Sequence, residues 1–152
     1  MFIGEHINDP YKRLLKLPES TRCPRCRAIF HHGHWQWSGS QTKSAHESTC
    51  QACHRIEDDY PAGIVTLSGD FVREHKEELI NIARSQERRE NPYHPQHRIM
   101  DIEQTGRAVV IRTTDIHLPR RIGEAIVRSC KGRLALHYEG GYYSIRVDWQ
   151  RD

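Results

Sequence analysis

Cys23-Pro24-Arg25-Cys26 and Cys50-Gln51-Ala52-Cys53 are two Cys-x-x-Cys pairs with 23 residues between them. Each pair turns both of its sulfurs toward one point. Two such turns facing each other offer four thiolates in a tetrahedron, the closed shell of soft ligands that defines a structural zinc site and leaves no position for water. Residues 27–49 have about the length of a two-stranded hairpin that carries one knuckle back to face the other. The stretch therefore reads as a zinc ribbon holding one structural Zn2+ through Cys23, Cys26, Cys50 and Cys53.

The competing reading is a pair of disulfides or free core thiols. Met1-Phe2-Ile3-Gly4-Glu5-His6 shows neither the basic region nor the apolar run of a secretory signal, so a cytoplasmic location is expected. In that compartment paired knuckles bind metal rather than oxidise. His31, His32, His34, His46 and His54 lie within or beside the ribbon, which leaves an exchange of ligands open. Four thiolates at this spacing outrank any mixture, and His31, His32 and His34 are expected to be exposed hairpin residues.

Composition sets the scale of what surrounds the ribbon. The chain has 152 residues, of which 36% are hydrophobic and 28% charged, so a single large core is not expected. No run approaches the roughly 18–20 apolar residues of a membrane helix, and no membrane partner is expected. The net charge of +3 is unevenly spread: residues 1–46 carry +4, residues 47–103 carry −5, and residues 104–152 carry +4. Two basic ends around an acidic middle point to a partner with phosphates, gripped in two places; evenly solvated faces are the alternative.

Outward from the ribbon, three parts are expected: a basic N-terminal segment (1–20), the ribbon (21–62) and an α+β domain (63–152). In the first, Asp9-Pro10-Tyr11 is turn-like. Lys12, Arg13 and Lys16 alternate with leucines up to Pro18, a segment suited equally to phosphates or to covering the ribbon. Within the ribbon, Arg22, Arg25 and Arg27 interleave with the cysteines, where a rigid knuckle would present them to phosphates at low entropic cost. Trp35 and Trp37, two apart, would share one face of a strand. Such a pair more often supplies a core than a base-stacking platform. Residues 38–44 read as the hairpin tip, and Glu57-Asp58-Asp59 as a solvated acidic connector.

In the third part, Ile64-Val65-Thr66-Leu67 is a short strand. Phe71, His75, Leu79, Ile82 and Ala83 mark the buried stripe of a helix over 70–89. Residues 98–104 and 107–114 read as a hairpin. Leu118, Ile122, Ala125, Ile126 and Cys130 mark a second helix, with Pro119 near its first turn, and two further strands follow. The fold class expected is thus α+β: a four-cysteine zinc ribbon followed by a small α-β-β-α-β-β sandwich with an antiparallel sheet. Arg120, Arg121, Arg128, Lys131 and Arg133 flank the second helix and are candidate RNA contacts.

With these residues in view, the chain resembles a small bacterial family named, by analogy, for effects on ribosome stability and mRNA decay. The resemblance rests on Asp9-Pro10-Tyr11, Cys23-Pro24-Arg25-Cys26 through Phe30, Gly33 and Trp35-Gln36-Trp37, on Cys50-Gln51-Ala52-Cys53, and on Asp115-Ile116-His117-Leu118 leading into Arg120-Arg121-Ile122-Gly123. More distantly it is similar to the zinc-ribbon adaptors that accompany large ribosomal subunits out of the eukaryotic nucleus, which have archaeal relatives. Those have more than one ribbon and an export signal, whereas this chain supplies cysteines for one ribbon. The resemblance implies ribosome contact, not export, and transfers only the four cysteines.

The expected function is a non-catalytic ribosome-binding factor on large-subunit RNA, covering a functional face in stress, assembly or quality control. Two alternatives belong to other classes. One is a DNA-binding or protein-adaptor ribbon. The other is a nuclease using His94, His97 or His117 as acid–base groups, although no His-Glu-x-x-His or paired nucleophile–base motif is present.

Overall fold

The computed structural model describes residues 9–11, 17–18, 20–37, 46–139 and 143–152, as three helices and two sheets. The cysteine-rich part carries four short strands: β1 (Thr21–Arg22), β2 (Ile29–His31), β3 (His34–Gln36) and β4 (His46–Glu47), in the order β3-β2-β1-β4. β2 and β3 are joined by His32-Gly33, with φ of 52° and 86°. Two left-handed residues in succession make the tight turn whose twist matches the flanking strands. The hairpin is therefore shorter than the spacing of the cysteines implied, and its turn is His32-Gly33. Residues 38–44, read above as the tip, lie outside the described residues. The return to the second knuckle runs through β4, which pairs parallel to β1.

Nothing lies within 4 Å of where a Cβ on Gly33 would sit, so only backbone strain opposes a side chain there. Gly33→Ala is expected to cost about 1 kcal/mol. It would appear as a small drop in the urea midpoint followed by tryptophan fluorescence, and an unchanged midpoint would show that the turn tolerates another conformation.

Trp35 is buried and packs edge-on against Phe30, with ring centroids 5.5 Å apart. Trp37 does not share that face. β3 ends at Gln36, the two-residue period stops with it, and Trp37 turns outward, exposed. The ribbon's core is small: Cys23, Ala28, Trp35, Cys50, Ala52 and Cys53.

Helix α1 (Gln51–Asp58) starts inside the second knuckle, with Cys50 as its N-cap. Glu57, Asp58 and Asp59 are exposed as expected, but they end a helix rather than form a connecting loop. The helix runs through the first two, and Asp59 closes it in the left-handed conformation at φ 52°. All three acids have partners: Glu57 pairs with Arg25, Asp58 accepts from the Tyr11 hydroxyl at 2.9 Å, and Asp59 lies 2.7 Å from Arg112. Arg55, 1% exposed, fastens α1 to its surroundings. Its guanidinium donates to Asp9 Oδ1 at 2.8 Å and to the Tyr60 carbonyl at 3.2 Å, among the rings of Tyr11, Tyr60 and Tyr143. A buried cation so enclosed by a carboxylate and aromatic faces recovers part of its lost hydration.

The remaining elements are β5 (Gly63–Ser68), α2 (Asp70–Glu90), β6 (Ile99–Gln104), β7 (Ala108–Thr113), α3 (Leu118–Cys130), β8 (Arg133–Tyr138) and β9 (Ile145–Gln150). They build a five-stranded sheet in the order β6-β7-β5-β9-β8. This sheet is mixed, which corrects the antiparallel sheet expected above. The two hairpins, β6/β7 and β8/β9, are antiparallel as anticipated, and β7 is antiparallel to β5, but β9 pairs parallel to β5, Val65 opposite Val147. The strand read at 64–67 is present, but the expected α-β-β-α-β-β order gave it no place in the sheet, where it is the central member. β5 precedes both helices and separates the two hairpins, because a short strand buried on one face needs both edges paired.

Along β5, Gly63, Val65 and Leu67 are buried, while Ile64, Thr66 and Ser68 are half-exposed on the other face. With Val109, Ile111, Ile145, Val147 and Trp149 they meet Val72 and Leu79 of α2 and Leu118, Ile122 and Ile126 of α3 in one core. Each such buried side chain is worth roughly 1.5–3 kcal/mol. This part can fold on apolar burial, which the ribbon with one large buried aromatic cannot. Within α2, His75 departs from helical geometry at φ −125° and stacks on Phe71 at 3.7 Å. It is a packed residue of the stripe. Among the described residues, no helix is long and apolar enough to cross a membrane.

Candidate metal centre

The four predicted ligands meet. Cys23, Cys26, Cys50 and Cys53 place their sulfurs within 4.8 Å of one another, and together they can hold a metal ion. Local structure explains the convergence. The first knuckle is closed by Cys23 N–H donating to the Ala28 carbonyl and Arg27 N–H to the Cys23 carbonyl, both at 2.9 Å. Arg27 itself takes a left-handed φ of 70°. The second knuckle is the first turn of α1, so Cys50 accepts from the Cys53 amide at 3.5 Å while its own amide faces Cys23 Sγ at 3.4 Å.

Crowding of the sulfurs divides their protons unequally. Hydrogen bonds from the Cys50 and Cys53 thiols pull Cys26 down to about 3. Cys53, which serves as a donor to both, is pushed up.

What faces the four sulfurs was not read from the sequence. Arg98, in the turn before β6, extends its guanidinium over the sulfurs: Nη2 lies 3.0 Å from Cys26 Sγ and 3.6 Å from Cys50 Sγ, and Nη1 lies 3.3 Å from Cys53 Sγ. Its Nε donates to the Pro95 carbonyl at 2.6 Å, which fixes the fork. Burial alone would lower its pKa, but negative charge on the facing sulfurs of Cys26 and Cys50 and its hydrogen bonds to Cys53 and Cys26 raise it instead. Trp37 covers the outer side, its ring 5.6 Å from the Arg98 guanidinium carbon and its indole N–H donating to the Asn91 carbonyl at 2.7 Å. Ala52 N–H donates to Gln96 Oε1 at 2.8 Å. One short segment, residues 91–98, thus covers the centre from outside the ribbon. No local pattern marks Arg98, because its partners lie 45 to 72 residues away.

The same segment borders a second cluster. Glu90 Oε2 lies 3.6 Å from His97 Nδ1 and 4.0 Å from His94 Nε2. The rings of His94 and His97 stack at 4.4 Å, and His117 lies 5.5 Å from His97. His97 Nε2 is 3.4 Å from Asp115 Oδ2, a buried carboxylate that also caps α3 by accepting from the His117 and Leu118 amides at 2.8 and 3.1 Å. Burial, then the neighbouring His94, His117 and Arg121, pulls His97 down to about 3, so the ring is neutral. Burial pushes Asp115 up to about 7 against the two amides that lower it. The three histidines named from the sequence gather here. Glu90 and Asp115 were missed, since neither a helix end nor a cap reveals what it will face.

The predicted cations fare unequally. Lys12, Arg13 and Lys16 lie outside the described residues. Arg22 is half-buried in β1. Arg25 is paired with Glu57, Arg120 with Glu124 at 2.7 Å, and Arg121 with Glu90. Arg27, Arg128, Lys131 and Arg133 are exposed or half-exposed, and none makes an ion pair with a described residue. Arg128, Lys131 and Arg133 lie together where α3 passes into β8, a turn made by the positive φ of Lys131 and Gly132. No family model, curated protein or solved structure matches the chain.

Proposed function

We propose that this protein is a non-catalytic, cytoplasmic factor that binds ribosomal RNA, with the large subunit as its partner, on a scaffold stapled by one structural Zn2+. Zinc is favoured by the donor set. Four thiolates form a closed shell, and sulfurs around a tetrahedral zinc at about 2.3 Å stand about 3.8 Å apart. Cys26 and Cys50 are separated by 3.8 Å. Bound there, the ion would supply fold rather than chemistry, since no ligand position remains.

The observation that carries RNA binding is the grouping of Arg128, Lys131 and Arg133, which pair with no acid among the described residues, while Arg120 and Arg121 at the other end of α3 are neutralised. Phosphates would replace counterions there. The ribosome as the source of that RNA rests on the resemblance stated above. The test is sedimentation of the full-length, zinc-loaded protein with small subunits, large subunits and intact ribosomes across a salt series. Migration with large subunits is expected, with an affinity falling steeply as salt rises. Replacing Arg128, Lys131 and Arg133 by glutamine should flatten the logarithmic salt dependence by about one for each phosphate no longer neutralised. Protein left at the top of every gradient at low salt would end the ribosomal reading and turn attention to DNA or protein partners.

A second reading is favoured by one observation, the gathering of His94, His97 and His117 beside two carboxylates. Such a group can move protons in phosphodiester cleavage. RNA cleavage abolished in His117→Ala would support it, and an inert preparation would retire it.

A further inference from the structure

The spacing of Glu90, His94 and His97 is not that of a hydrogen-bonded network. Two backbone turns bring them together: His94 N–H donates to the Glu90 carbonyl and His97 N–H to the His94 carbonyl, both at 2.9 Å. Their ligand atoms lie within 4.8 Å of one another. The carboxylate oxygen nonetheless stays 3.6 and 4.0 Å from the two imidazole nitrogens, beyond hydrogen-bond reach. Donor atoms around a tetrahedral first-row ion, at about 2.0–2.2 Å from it, stand roughly 3.3–3.6 Å apart. The groups are thus separated by close to the width of a coordination shell.

Their orientation fits the same reading. His97 turns Nε2 toward Asp115 Oδ2, which leaves Nδ1 facing Glu90, and Nδ1 is buried without any hydrogen-bond partner. A carboxylate behind one ring nitrogen is what aims the other at a metal. Glu90 is held in a similar way: Arg121 engages Oε1, so Oε2 alone is presented to the histidines. His94 lies at the exposed mouth and His97 at the closed back, so an ion could enter past one ligand onto the others.

We propose that Glu90, His94 and His97 form a second metal site, separate from the four cysteines, for a first-row divalent cation of the zinc class. Two imidazoles and one carboxylate select such an ion over calcium or magnesium, which prefer oxygen alone. Three protein ligands leave one position for water or a solute, unlike the closed thiolate centre. Such a site stands or falls independently of RNA binding or cleavage, because its readout is the metal itself.

The experiment is metal stoichiometry of the full-length protein equilibrated with Zn2+, and separately with Co2+, then freed of unbound ion. Wild type is expected to hold two equivalents, and His94→Ala and Glu90→Gln one. With Co2+, the intense thiolate-to-metal absorption should be unchanged in both variants, while the weaker ligand-field absorption of the nitrogen–oxygen site is lost. His94→Ala carries the test, because that exposed side chain supports no core packing, and circular dichroism matching wild type would confirm its fold. One equivalent in wild type, or two retained in folded His94→Ala, would overturn the proposal.

Discussion

Removing the metal proposed for the four cysteines with a chelator, or replacing Cys50 by serine, is expected to unfold the ribbon while the five-stranded unit survives. The two parts differ in what can hold them. The sheet core joins sixteen buried residues, Trp149, Ile122 and Leu67 among them; the ribbon cluster has six, of which three are the cysteines Cys23, Cys50 and Cys53. A structural zinc in a small module contributes about 10–16 kcal/mol of apparent binding free energy, more than the ribbon's apolar burial can replace. Hydrogen exchange should therefore collapse over 20–37 and 46–58 on chelation, with protection retained in β5, β7 and β9. Tryptophan emission should shift as buried Trp35 enters water. Protection unchanged after chelation would mean that packing alone sustains the ribbon, and the metal would lose its structural role.

The second large effect is expected at Arg98. A divalent ion held by four thiolates would leave two negative charges, and the Arg98 guanidinium, 3.0 Å from Cys26 and 3.3 Å from Cys53, is placed to meet them. Partners of this kind are worth roughly 10–100-fold in metal affinity. Arg98→Met keeps much of the stem but removes the donors. It should lower zinc affinity by about that factor in competition with a chelator. Arg98→Lys should recover part of the loss, since an ammonium supplies charge without the planar fork. Equal affinity for all three proteins would show that the sulfurs are neutralised by other means. Arg98→Met should also loosen Trp37, whose emission gives a readout independent of the metal.

What was legible beforehand and what was not follows one physical division. Patterns carried within a few residues translated well. The Cys-x-x-Cys pairs converge as their spacing required, and the apolar stripes of 70–89 and 118–130 became helices. Features decided by distant partners were hidden. Period-two alternation tells which face of β5 is buried but not that β7 and β9 will be its neighbours, nor that one of them runs parallel. Glu57-Asp58-Asp59 read as a simple solvated loop because their partners Arg25, Tyr11 and Arg112 are elsewhere in the chain. Arg98 and Asp115 are single polar residues whose meaning exists only after folding. The histidines His94, His97 and His117 were noticed for their chemistry, while their meeting point is made by the turn after α2 and the cap of α3.

The parallel pairing of β5 with β9 has a consequence for the order of events as the chain is made. β5 emerges from synthesis more than 75 residues before Ile145–Gln150, yet one of its two edges is paired only with that last strand. The closure reaches to the backbone just beyond the sheet, where Arg151 N–H donates to the Ser68 carbonyl at 3.1 Å and its own carbonyl accepts from Phe71 at 3.2 Å. Gly69 admits this contact, since a Cβ there would sit 2.0 Å from the Arg151 oxygen. A nascent chain halted before residue 145 holds β5 with one edge bare and with Val65 and Leu67 uncovered on that side. Such an edge invites pairing with other chains. The ribbon is finished in sequence long before this and can close as soon as metal arrives. The sheet completes only when its last strand is released, so the window of vulnerability belongs to the larger unit.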